Sequence, residues 1–176
     1  MDFQSVYDFW FYQCQPEDWF KKSEGFDAQV TELFAETHRA ASRGELYQWR
    51  RSAKGALCEI IVLDQFSRNI YRDTASAFAQ DAQALCLAQH ALEKGYDLLL
   101  TEQERSFLYM PYMHSESTAI HILAEHLFRP LESYSYELAR KAIIDRFGRY
   151  PHRNAILGCR SPPEEQAFLE TPSSGF

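Results

Sequence analysis

The chain has no Cys-X-X-Cys pair, no His-Glu-X-X-His, no glycine-rich phosphate loop and no Gly-X-Ser-X-Gly elbow. Those absences remove the common sequence routes to a tetrahedral zinc centre, to nucleotide phosphates and to a serine nucleophile. Its four cysteines, Cys14, Cys58, Cys86 and Cys159, are too far apart to suggest a metal knuckle. They read as reduced thiols, mostly small buried apolar groups, with disulfides or a metal as the alternative. No apolar run reaches the roughly 18 residues that a membrane span needs. The opening stretch MDFQSVYDFWFY carries Asp2 and Asp8 and lacks a basic region, so it does not read as a signal peptide. A cytoplasmic location is the expectation. Positive charge is also scarce: 18 Lys and Arg against 25 Asp and Glu give a net charge of −7. That argues against nucleic acid and against an anionic membrane as partner, both of which want a basic face.

What is present is apolar and aromatic material. Hydrophobic residues make up 45% and aromatic ones 15% of 176 residues, enough to oppose chain entropy with one core. A single domain over 1–176 is expected, with 171–176 as an extended tail. Helical periodicity runs through most of the chain and strand alternation through none of it. Phe26, Val30, Leu33, Phe34 and Thr37 share one face, with Gly44 as a stop. The stretch from Cys58 to Tyr71 reads as a buried helix. Another helix is expected from Asp73 or Thr74 to Gly95, repeating Phe78, Leu85 and Leu92. Thr101 and Glu104 form a capping box, and Pro111 is expected to end or kink that helix. Ser115 or Ser117 caps a helix stopped at Pro130, Glu132–Phe147 forms the next, and Ser161-Pro162-Pro163-Glu164 starts the last. The expected fold is all-α, a compact array of antiparallel helix pairs.

Three polar clusters interrupt this apolar pattern. In the first, Asp64, Arg68 and Arg72 recur four apart, with Gln65 and Asn69 beside them. An acid, two guanidinium forks and two amides on one stripe of an apolar helix point to a polar network between helices or to a ligand-facing site. The second places His114 and Glu116 just after Pro111. At a helix boundary they can share a cleft for acid–base work, or simply cap the helix. His121 and Glu125, four apart, read as a surface pair, with a weak metal pair as the alternative. The third, Arg146 to Asn154, holds three arginines with His152 and Asn154 and is the one local basic patch. Its arginines suit a carboxylate or phosphate, or the carbonyls at helix ends.

In order along the chain, VYDFWF, LDQFSRNIYRDTASAFAQD, ERSFLYMPYMHSE and RFGRYPHRNAILG with PPEEQAFL resemble a bacterial family catalogued as domain of unknown function 924. The resemblance spans almost the whole chain. It implies a relationship to tetratricopeptide-repeat folds, hence an α-α superhelix, and it implies no activity. The family pattern falls on Asp64, Gln65, Phe66, Arg68, Asn69 and Arg72. It falls next on Pro111, His114, Ser115 and Glu116, and then on Gly148, Arg149, Pro151, His152, Arg153, Asn154, Leu157 and Gly158. Two departures stand out. Ser67 replaces the usual proline, and Cys159 stands where arginine is typical, which leaves Arg160 to cover that role.

Three functional readings remain open. The first is a non-catalytic helical module with a groove lined by Arg68, Asn69, Arg72, Arg149, Arg153 and Asn154. Such a groove would take an acidic small molecule, a peptide or another protein, and the chain's own Phe176 is one candidate occupant. The second is a hydrolase or transferase using Asp64, His114, Glu116 and His152, with a divalent metal as an option. The third is a purely structural hydrogen-bond network. No resident cofactor is expected.

Overall fold

The computed structural model describes residues 2–172 and 174. Among these the chain is all-helical and contains no strand. The elements that organise it are α1 (Phe3–Asp8), α2 (Pro16–Phe20), α3 (Glu24–Ser42), α4 (Ala53–Ile61), α5 (Ser67–Ile70), α6 (Asp81–Glu93), α7 (Glu102–Met113), α8 (Thr118–Phe128), α9 (Tyr134–Phe147) and α10 (Pro163–Leu169).

The centre of the molecule is α4. From Ala53 to Ile61 only Lys54 reaches solvent, and α1, α6 and α7 all pack against it. A helix apolar on every side must be covered on every side. Gly55 permits one of these contacts: a Cβ there would lie 2.2 Å from the Trp49 carbonyl oxygen. Glu59 is fully buried in this helix and is neutralised by Arg50, whose Nε and Nη2 donate to its two oxygens at 2.7 Å each. The helix runs on as a π turn, Val62–Phe66, and then as α5. Such wide turns often occur at functional positions. An aromatic cluster of Phe9, Trp10, Phe26, Phe34 and Phe66 fills the space between α3, the α4–α5 helix and the N-terminal segment, with ring centroids 4.9–6.3 Å apart. A smaller core of Ile143, Ile144 and Tyr150, with Phe147 and Phe168, joins α9 to α10.

Local signals place many boundaries. Thr101 Oγ1 accepts from the Glu104 amide while Glu104 Oε2 accepts from the Thr101 amide at 2.6 Å, which closes the capping box. Gly44, Gly95 and Gly148 follow α3, α6 and α9 with positive φ. Pro111 lies inside α7 and neither breaks nor ends it; the helix stops two residues later, at Met113. On α3 the buried face is Phe26, Val30, Phe34 and His38, and Leu33 is exposed. The helix expected from Asp73 begins only at Asp81. Asp73 takes a left-handed φ of 60°, Thr74 is extended, and a 3-10 turn (Ala75–Phe78) intervenes, so Phe78 belongs to that turn and not to α6. The described part of the tail is a turn, with the Ser174 amide donating to the Thr171 carbonyl and Ser174 Oγ to that of Leu169. Phe176 lies outside the described residues. No helix among the described residues is long and apolar enough to cross a membrane.

Candidate functional site

The three polar clusters contribute to one place, where the π turn, the end of α7, the start of α6 and the 3-10 turn Pro151–Arg153 come together. Arg68 sits one turn after Asp64, and its Nη1 donates to the Asp64 carbonyl at 2.6 Å and to Oδ1 at 3.2 Å. His114 caps the C-terminus of α7, and its Nδ1 lies 2.7 Å from Asp64 Oδ1. Arg153 donates through Nη2 to the His114 carbonyl at 3.1 Å, as a cation does at a helix C-terminus. Asp81, the first residue of α6, ties the two guanidinium groups together. Its Oδ2 accepts from Arg68 Nη2 at 3.1 Å and from Arg153 Nη1 at 3.2 Å, and its Oδ1 is 3.0 Å from Arg68 Nη1. The Phe78 ring lies 4.5 Å from the Arg153 guanidinium and 5.7 Å from that of Arg68, with Tyr150 4.8 Å from Arg153. These are cation–π distances.

Asp64 and Arg153 are buried, and the site reaches solvent at its edge. The side chains of Arg68, Asp81 and His114 keep 20, 18 and 12% of their surface exposed. Two shallow depressions elsewhere, beside Phe20 and beside Trp49, hold none of these residues.

Burial alone would push the Asp64 carboxyl up, but His114, Arg68 and the Gln65 amide hold it well below the usual carboxylate range. His114 is pushed down to about 4 by burial and by Arg68, against the pull of Asp64. His152 is pushed down to about 4 as well, by burial and then by Arg153, Arg140 and His114. Burial and then Arg68 lower Arg153. A carboxylate can only accept, so the His114 proton sits on Nδ1. Its Nε2 has no partner among the described residues. That is the tautomer of a general base, neutral at pH 7.

The other site residues of the first and third clusters are engaged elsewhere. Asn69 Nδ2 donates to Asp27 Oδ1 at 2.8 Å, and Arg72 grips both oxygens of the same carboxylate on α3. Arg149 makes a two-pronged contact with Glu165 of α10 at 3.0 Å per prong and donates to the Arg160 carbonyl. Asn154 Nδ2 donates to Glu165 and to Ser161 Oγ. Glu116 accepts from the Tyr150 amide at 2.8 Å and does not join the Asp64–His114 pair. These contacts pin α3 and α10 to the body. The fully buried His121 pairs with Glu137 at 2.7 Å and not with Glu125. Ser67, in the place of the usual proline, donates to the Leu63 carbonyl and meets His38 Nε2 at 2.7 Å. Arg160 is exposed.

Sequence reasoning gave no site role to Asp27, Phe78, Asp81, Tyr150 or Glu165. For the three carboxylates the signal was unmatched charge: each buried or half-buried arginine in the motifs requires a carboxylate partner. The four cysteines are free, and among the described residues no three His, Cys, Asp or Glu side chains are grouped to hold a metal.

The model for bacterial protein of unknown function, DUF924, matches residues 6–173. The chain belongs to the DUF924 family. The solved structure of ATU0120, a protein of unknown function from Agrobacterium tumefaciens, is 37% identical to this DUF924 chain. The match covers 96% of each chain with a TM-score of 0.92. No curated protein matches.

Proposed function

We propose that this protein binds a small anionic molecule through a carboxylate or phosphate group at the Arg68–Arg153 site. The observation that carries the reading is the sharing of one carboxylate, Asp81, by two guanidinium groups from different motifs. Arg50, Arg72 and Arg149 each have a carboxylate gripped two-pronged. The shared arrangement leaves Arg153 Nε buried with no hydrogen-bond partner among the described residues, a donor of the kind that a ligand oxygen satisfies. Arg68 opens to the surface beside it. A second reading is favoured by the Asp64–His114 pair. A neutral imidazole with Nε2 unpartnered among the described residues, next to two cations, is placed to take a proton from a bound anion's neighbouring group.

The test is thermal unfolding and calorimetric titration of the natural chain with benzoate, citrate, inorganic phosphate and an acidic C-terminal peptide. Binding that raises the midpoint and is lost in Arg153→Lys supports the reading, because lysine cannot reproduce the fork. No shift with any of them, with marked destabilisation of Arg68→Ala and Arg153→Ala, would overturn it in favour of a structural network.

A further inference from the structure

We propose that Asp81 occupies the seat of the ligand's own carboxylate, so that the site is specific for carboxylates and is loaded by exchange with Asp81. The proposal rests on the anion-binding reading and goes further, naming the ligand class and the state of the empty site.

The geometry is that of a ligand group. Asp81 Oδ2 bridges Arg68 and Arg153 at 3.1 and 3.2 Å, Oδ1 lies 3.0 Å from Arg68 Nη1 without a hydrogen bond among the described residues, and the carboxylate arrives from a different part of the chain than either arginine. Its neighbour in the site, Asp64, is 1% exposed and fixed by His114 and Gln65; Asp81 is 18% exposed and, among the described residues, has only the two arginines as side-chain partners. Its surroundings can yield. The preceding segment, 73–80, consists of turns and one 3-10 turn, is mostly exposed, and buries only Ala77; Arg72, held by Asp27, marks its fixed end. Withdrawal of this segment would carry Phe78 off Arg153 together with Asp81.

The energetics also favour exchange over addition. Among the described residues, Arg68 and Arg153 are balanced by Asp64 and Asp81. An anion added to these four would leave a negative charge in excess. An anion that replaces Asp81 leaves the buried charge unchanged, which avoids the cost of an unpaired buried ion. A ligand carboxylate reproduces the planar two-oxygen group and the single charge that the seat already holds, and a tetrahedral phosphate does not. Occupation by Asp81 lowers the apparent affinity by the fraction of time that the seat is empty.

The experiment is calorimetric titration of benzoate and of inorganic phosphate into the natural chain, Asp81→Asn and Arg153→Lys, with folding checked by circular dichroism. The expected result is benzoate bound about tenfold or more tightly by D81N than by the natural chain, with phosphate clearly weaker than benzoate. Unchanged or weakened benzoate binding in D81N overturns the exchange, while binding by the natural chain that R153K abolishes would keep the anion site. Phosphate bound by D81N as tightly as benzoate overturns the carboxylate assignment. No binding by either chain sinks both. Should D81N fail to fold, the carboxyl carbon-13 resonance of Asp81 in the natural chain decides: it shifts on benzoate addition under exchange and stays still otherwise.

Discussion

Asp64 and His114, fifty residues apart in the chain, are joined by a 2.7 Å hydrogen bond from the imidazole Nδ1 to a fully buried carboxylate. The bond fixes the tautomer of the histidine and links the end of α7 to the π turn that continues α4. It also leaves Asp64 as a buried counter-charge for Arg68, so one side chain serves two helices.

Asp64→Asn keeps the shape and removes that charge. Arg68, still paired with Asp81, would lose one of its two counter-charges, and a loss of about 1.5–3 kcal/mol is expected. Since Asp64 pulls the His114 pKa upward, His114 should become harder to protonate in the variant. Urea unfolding and an NMR titration of the ring carbons measure the two effects. A fully stable variant would show that the pair is dispensable to the fold.

Acidification should destabilise the protein before its carboxylates titrate. His114 and His152 are each lowered from 6.5 to about 4 in the folded chain. A group whose folded pKa is depressed is protonated first in the unfolded state. Its contribution is therefore complete above pH 6.5 and is lost as pH falls through 6.5 toward 4. A decline totalling a few kcal/mol is expected over that window, flattening below pH 4 for these two groups. Unfolding free energy measured at half-unit intervals, compared with His152→Gln, tests it. A flat profile between 6.5 and 4.5 would contradict it.

Glu165→Gln should release α10. Glu165 holds both prongs of Arg149 and the Asn154 amide, and a seven-residue helix does not persist in water by itself. Amide exchange across 163–169 should rise by one to two orders of magnitude, about 1–3 kcal/mol, while α4 keeps its protection. If Arg149→Ala abolishes anion binding with α10 still docked, Arg149 belongs to the ligand site and not only to this anchor.

Gly55→Ala tests the packing of the central helix. The added methyl would stand 2.2 Å from the Trp49 carbonyl oxygen, and backbone cannot move aside as a side chain can. A loss of about 3 kcal/mol is expected in spite of alanine's better helix propensity, read as a lower thermal midpoint. A stabilised variant would show that the Tyr47–Arg51 turn can shift away.

Much of the helical plan was legible because it is written in short-range chemistry. The Thr101–Glu104 box, the glycines after α3, α6 and α9, and the proline that opens α10 act within four residues. Their effects follow from backbone hydrogen bonding alone. Legibility failed where the local signal was ambiguous. Thr74 looked like a helix cap, yet the left-handed Asp73 and the 3-10 turn delay α6 to Asp81, and this delay is what carries Phe78 and Asp81 to the site.

The sequence by itself determined that this is an all-helical chain with an acidic surplus and that three polar clusters interrupt its apolar pattern. Periodicity, caps and composition are local or additive properties, and they survive without coordinates. Which carboxylate each arginine meets was decided only by the tertiary structure. Asp27 claims Arg72 and Asn69, Glu165 claims Arg149 and Asn154, and Asp81 is left to be shared by Arg68 and Arg153. The physical reason is that burial makes every ion seek an opposite charge, while the choice among partners depends on angstrom-scale distances that only helix packing sets.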